Sequence, residues 1–220
     1  MTRRQASIPW ILAACFFVGC RPHEQPLASP SLLLIGDSRV DEWPTELLTG
    51  WHVARRGIPG EKAVDALERA PRLIAELKPD AVVIFTGVND LIPIGGYPDR
   101  RQKIVSRTAN AIVDIAELAS GDVEQVIVIP VLPGSEKAQN RPPVWNSDVD
   151  SAVTDVNTIL FKKLSNKYLN LWTEMVGSNG KLKLELSRDH LHLSPKGYEV
   201  LTERVLKQLR PPLRSSRMDD

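Results

Sequence analysis

Ser31-Leu32-Leu33-Leu34-Ile35-Gly36-Asp37-Ser38 places an uninterrupted apolar run directly before a glycine, an aspartate and a serine. It reads as a strand buried on both faces that turns sharply into a loop, with Ser38 exposed where the loop begins. Shorter or weaker runs of the same kind follow at residues 51–54, 81–86 and 126–131, and faintly at 168–172. Between them, helical periodicity covers 61–77, with a bend or break expected at Pro71, then 100–119 and 148–166, and a last helix at 195–209. Strand alternating with helix predicts a single-domain three-layer α/β/α fold over residues 31–210, built on a flavodoxin-like open parallel sheet of about five strands. In such sheets ligands bind beyond the carboxyl ends of the strands, so the residues at those ends carry the functional reading.

Those ends are chemically distinctive. Ser38 follows the first run, Gly57 the second, and Asn89, within Gly87-Val88-Asn89-Asp90, the third, while Asp189-His190-Leu191-His192 precedes the last helix. A serine hydroxyl is a weak nucleophile until a histidine takes its proton, and the histidine needs a carboxylate to fix its tautomer and stabilise the imidazolium. Asp189 and His192, three residues apart, supply both. The amides of Ser38 and Gly57 and the side chain of Asn89 are candidate donors to an oxyanion. Each cluster alone has an ordinary reading. Gly-Asp-Ser is a common turn, Asp90 is expected to cap whatever follows it, and Ser194-Pro195 marks a helix start. Their joint occurrence, in order and at strand ends, favours a catalytic reading.

These residues, in this order, resemble the SGNH (GDSL-type) hydrolase family, whose members use serine, glycine, asparagine and histidine from four blocks; the matching positions are Ser38, Gly57, Asn89 and His192, with Asp189 as the triad aspartate. The resemblance implies an ester hydrolase acting on O-acetylated sugars, short acyl esters or lysophospholipids, without metal or cofactor. Two departures are visible. Arg55 stands where many members carry an asparagine before the second-block glycine, and Arg39 follows the serine where leucine is frequent, a position that varies within the family.

The amino terminus is expected to lie outside the fold. Thr2-Arg3-Arg4 is basic, residues 8–19 are apolar apart from Pro9, and Gly19 precedes Cys20, as in a secretory signal peptide. Phe17-Val18-Gly19-Cys20 resembles the bacterial lipoprotein signal, which implies cleavage after residue 19, lipidation of Cys20 and attachment to a membrane of the cell envelope. Residues 20–30, with three prolines, read as a tether, and 211–220 as a frayed tail. Cys15 would leave with the signal, so no disulfide is possible in the mature chain. Without Arg3 and Arg4 the basic residues number 26 against 27 acidic, a formal charge of −1 that gives no footprint for nucleic acid.

Among the remaining histidines, His190 is expected to point away from the serine, and a His190/His192 metal pair lacks further spaced ligands. Residues 133–146, with Arg141 and Trp145, form a long connection on the catalytic side, suited either to substrate binding or to being a disordered insertion. The sequence therefore points to a lipid-anchored serine esterase acting on a small-molecule or glycan ester. An acyltransferase with the same triad and a catalytically silent ligand-binding lipoprotein are the rival readings.

Overall fold

A computed structural model describes residues 29–210; Cys20, the tether before residue 29 and the tail 211–220 lie outside the described residues. Four parallel strands, β1 (Ser31–Gly36), β2 (His52–Gly57), β3 (Ala81–Phe85) and β4 (Gln125–Val128), form one sheet in the order β2-β1-β3-β4. The order places β1 between β2 and β3, the flavodoxin-like arrangement expected. Alternate residues of the buried strands enter opposite cores. Leu33, Ile35, Val82 and Ile84 pack beneath α2 (Ala63–Leu77), α4 (Arg101–Asp122) and α5 (Ser147–Lys163). Leu32, Leu34, Val83 and Phe85 pack with Trp43, Tyr198 and Leu201 beneath α7 (Pro195–Gln208). With both faces covered, the central strands must be apolar at every position, which is why their runs are so legible.

The expectation of about five strands is corrected to four. At the weak fifth run only Tyr168 pairs, with Val128, through Val128 N–H to the Lys167 carbonyl (2.8 Å) and Leu169 N–H to the Val128 carbonyl (2.9 Å). The chain then coils into the short helix α6 (Trp172–Met175), which seats Leu171 and Met175 in the core under α7. β2 runs longer than its hydropathy suggests. Arg55 and Arg56 pair with Leu34 and Ile35 while their side chains are exposed, since an edge strand tolerates charge.

Helix α2 passes unbroken through Pro71. Proline removes one bond of the helical ladder, but Ala66, Ala70, Leu73 and Ile74 keep both halves seated on the sheet. Gly36, at the end of β1, is required by space. A Cβ there would lie 1.9 Å from the Phe85 carbonyl oxygen. Gly36→Ala should therefore destabilise the fold by about 1–3 kcal/mol, measured as a lower urea midpoint at unchanged slope.

Candidate active site

Ser38 owes its position to the turn that ends β1. Asp37 is the N-cap of α1 (Ser38–Asp41), its Oδ1 accepting from Arg39 N–H at 2.9 Å, while its carbonyl accepts from Val40 and Asp41 N–H, each at 3.0 Å. Burial pushes the Asp37 carboxyl pKa up; the Arg39 guanidinium and backbone N–H pull it back. Ser38 thus occupies the first position of the turn, where a backbone N–H has no acceptor within the helix. Gly57 packs directly against this turn. A Cβ on it would lie 2.1 Å from Asp41 N and 2.7 Å from the Asp37 carbonyl oxygen, so glycine is needed there for space as well as for any donor role. Arg55 donates to the Trp43 carbonyl at 3.0 Å.

The three residues expected to form a triad meet. Ser38 Oγ is 3.0 Å from His192 Nε2, and His192 Nδ1 is 2.9 Å from Asp189 Oδ2. An ionised Asp189 can only accept, so it fixes the ring proton on Nδ1 and leaves the Nε2 lone pair facing the serine. Asp189 Oδ1 also accepts from the N–H groups of Leu191 and His192, both at 2.8 Å. Burial pushes the Asp189 carboxyl pKa up, yet these N–H groups, the Asn140 amide and the His192 ring outweigh burial and hold it well below the usual carboxylate range. The loop closes on itself through Arg188 N–H to the His192 carbonyl (2.9 Å), and Ser194 caps α7 by accepting from Gly197 N–H at 3.1 Å.

Asn89 lies in α3 (Val88–Leu91), which starts after Gly87 at φ +110°. Its Nδ2 donates to the Glu61 carbonyl at 3.0 Å, which uses one N–H and leaves the second for an oxyanion. Glu61 is itself anchored. Both its carboxylate oxygens are 2.6 Å from Arg69, whose Nη2 also donates to the Arg56 carbonyl at 2.8 Å. Asp90 does not cap the segment that follows it. Its Oδ2 accepts from Ala63 N–H at 2.9 Å, capping α2 instead, because the chain turn at Gly87 aims it across to that helix start.

Four residues beyond those expected support the site. Arg39 is fully buried, donating from Nε to the Leu191 carbonyl (3.0 Å) and from both Nη atoms to the Leu132 carbonyl (3.3 Å each). Its position after the serine, which family variability makes look inconsequential, is structurally central. Asn140, in the 133–146 connection, donates from Nδ2 to Asp189 Oδ2 at 2.7 Å. Ser135 Oγ donates to the Asp189 carbonyl at 2.8 Å, and Lys137 Nζ to the Ser187 carbonyl. That connection braces the Asp189 carboxylate, and Trp145 within it is buried, its Nε1 donating to Asp150 Oδ1 at 3.0 Å.

His190 points away from Ser38 and is a packing residue. Its buried ring meets the edge of Trp145 at 4.7 Å and fills the space over Gly134, where a Cβ would lie 2.3 Å from Nε2. Burial lowers its pKa and keeps it neutral. Among the described residues no three His, Cys, Asp or Glu side chains cluster as a metal site would require.

Asn140→Ala should lower kcat/KM roughly tenfold, the order of one hydrogen bond to a charged group. The sign of its effect on stability follows from the depressed Asp189 pKa. A carboxyl lowered by folding stabilises the fold above its unfolded value of about 3.9 and loses that contribution as pH falls. The variant should therefore lose Tm at neutral pH and converge on the parent under acid. Thermal melts across pH, beside steady-state kinetics, check both outcomes.

The sequence matches the GDSL-like Lipase/Acylhydrolase family over residues 34–200. No curated protein sequence matches the chain. Among solved structures it is similar to a GDSL-like lipase from Bacteroides thetaiotaomicron, at 22% identity and a TM-score of 0.64, covering 81% of this chain and 87% of that one. The lipase/acylhydrolase from Enterococcus faecalis is 22% identical with a TM-score of 0.58, covering 83% and 98%. An acetylxylan esterase from Geobacillus stearothermophilus, solved as a catalytic mutant, is 19% identical with a TM-score of 0.60, covering 81% and 93%. At these identities the structures establish a shared fold. The family match spans most of the domain, from the β1 apolar run through the aspartate–histidine loop into α7, and on that ground the chain belongs to the GDSL-like lipase/acylhydrolase family.

Proposed function

We propose that the chain hydrolyses esters through Ser38, His192 and Asp189 by way of an acyl-enzyme. The observation that carries this is the unbroken contact from Ser38 Oγ to His192 Nε2 at 3.0 Å and from His192 Nδ1 to Asp189 at 2.9 Å. Family membership supports carboxylic ester hydrolysis as the general activity. Ser38 Oγ attacks the ester carbonyl while its proton passes to His192 Nε2, and Asp189 stabilises the imidazolium. The tetrahedral oxyanion is received by the Ser38 and Gly57 amides and the free N–H of Asn89. On collapse, His192 protonates the departing alcohol. Water, deprotonated by the same ring, then attacks the acyl-serine and releases the acid.

The substrate class we favour is a glycan or small molecule bearing a short acyl ester. The tight turn from β1 into α1 suits a small acyl group, and the Geobacillus stearothermophilus protein with this fold is described as an acetylxylan esterase. We also place the enzyme in the bacterial envelope, held by lipid on Cys20, on the strength of the basic n-region, the apolar run and Gly19-Cys20.

Asn89→Ala should lower kcat by roughly 10²- to 10³-fold with KM little changed, because its amide bonds the oxyanion more strongly than the ground-state carbonyl. Ser38→Ala should abolish labelling by a fluorophosphonate, while Asn89→Ala still labels slowly. An Asn89→Ala enzyme that is folded and fully active would remove asparagine from the mechanism. Cys20→Ser should release the protein from membranes or block its maturation, since a diacyl anchor holds where a single chain is marginal. Fractionation with palmitate labelling measures it, and unlabelled parent protein that stays membrane-bound would refute the anchor.

A further inference from the structure

A cavity of about 590 Å³ lies between the start of α2, the segment after α3 and the first turns of α4. Its walls carry four cations, Lys62, Arg100, Lys103 and Arg107, together with Tyr97 and Asp90. Arg100, Lys103 and Arg107 recur at i, i+3 and i+7, so they share one face at the start of α4. Lys62 faces them from the N-cap of α2. None of the four makes an ion pair among the described residues, although this chain pairs many of its other surface cations, such as Arg72 with Glu76, Arg101 with Asp155 and Lys207 with Glu203. The one carboxylate in the wall, Asp90, has its Oδ2 committed to Ala63 N–H. The Arg100 guanidinium lies 4.8 Å over the Tyr97 ring, an arrangement that steadies an exposed cation without neutralising it.

The cavity is joined to the reaction site by two pairs of consecutive residues. Glu61 and Asn89 bond each other, carbonyl to amide, at the proposed oxyanion position, and their neighbours Lys62 and Asp90 line the cavity. A group bound there would therefore belong to a molecule whose ester reaches Ser38. Four cations against the single carboxylate of Asp90 leave the cavity wall with a net positive charge, and an entering anion relieves the repulsion among them. Guanidinium groups beside ammonium groups suit a carboxylate or phosphate, which they can grip with two parallel hydrogen bonds. We propose that this cleft is the subsite for an acidic substituent, a carboxylate or a phosphate, on the alcohol half of a soluble ester substrate. The proposal rests on the esterase reading and deepens it by naming a substrate class.

The test compares two acetyl esters matched in length, one of an oligogalacturonate and one of a neutral oligogalactan, on the parent and on Lys103→Gln/Arg107→Gln. Both substituted side chains are exposed on α4, outside the catalytic set. The parent should favour the acidic ester by about tenfold in kcat/KM, mostly through KM, and the preference should shrink with salt. The double variant should lose most of that preference and hydrolyse the neutral ester within about twofold of the parent. A sugar phosphate ester that outperforms the galacturonate supports the subsite equally and identifies its anion as phosphate. Equal rates on acidic and neutral esters, or a preference that survives the double variant, would overturn the proposal. So would tight binding to phosphatidylglycerol vesicles that depends on Lys103 and Arg107 while soluble acidic saccharide does not bind. Calorimetry of unacetylated oligogalacturonate with Ser38→Ala reads the cleft without turnover. If no ester is hydrolysed, the esterase reading fails while this binding arm still decides the subsite.

Discussion

The buried guanidinium of Arg39 is the contact on which the site depends. It sits one residue after Ser38, beneath the turn that ends β1, and holds two carbonyls from distant parts of the chain: Leu191, between the two histidines, and Leu132, beyond the end of β4. The Tyr198 hydroxyl, on α7, donates to the Arg39 carbonyl at 2.9 Å, and the guanidinium lies 5.5 Å over the Phe85 ring. One side chain thus joins the Ser38 turn, the loop that carries His192 and the residue that precedes the 133–146 connection. Burying a charge is unfavourable unless carbonyls and an opposing charge satisfy it. Here burial lowers the Arg39 pKa, and Asp37 foremost, with Tyr198 and Asp189, opposes that shift. The same cation therefore faces both acidic ends of the site.

Around that centre the backbone approaches itself closely, and small residues decide where. Gly36 fits against the Phe85 carbonyl and Gly57 against the Asp37–Asp41 turn; neither has room for a methyl group. These approaches hold the ends of β1, β2 and β3 close together. Asn89 is then oriented indirectly, by a backbone carbonyl whose residue, Glu61, is clamped by Arg69. Arg69 in turn touches the carbonyl of Gly36, two residues before Ser38, and that of Arg56, next to Gly57. The proposed oxyanion position and the strand ends are therefore one hydrogen-bonded unit.

Polar residues in the 133–146 connection brace Asp189 and the residues before it. Ser135, Lys137 and Asn140 each bond the 187–189 segment, while His190 and Trp145 fill the space beneath them. Asn140 adopts φ +56°, a left-handed conformation that asparagine tolerates and that turns its amide toward Asp189. The long connection thus supports the Asp189–His192 pair through direct contact with Asp189.

The layered α/β fold and its sheet order, together with Ser38, Gly57, Asn89, Asp189 and His192 as the candidate site residues, are legible in the amino-acid sequence alone. Those features are local: apolar runs report burial on both faces of a strand, and polar residues at the ends of such runs report where a site can open. Asp189 and His192 were legible because three residues of chain suffice to bring them together. Tertiary structure alone decided the rest. Whether residues 168–172 make a strand depends on what lies over them, and α7 draws Leu171 and Met175 into a helical turn instead. Arg39 and Asn140 act on carbonyls and a carboxylate 49 to 152 positions away in sequence, and His190 and Trp145 owe their roles to each other. No spacing rule records such contacts, because they are set by how far apart the folded sheet holds its loops and not by distance along the chain.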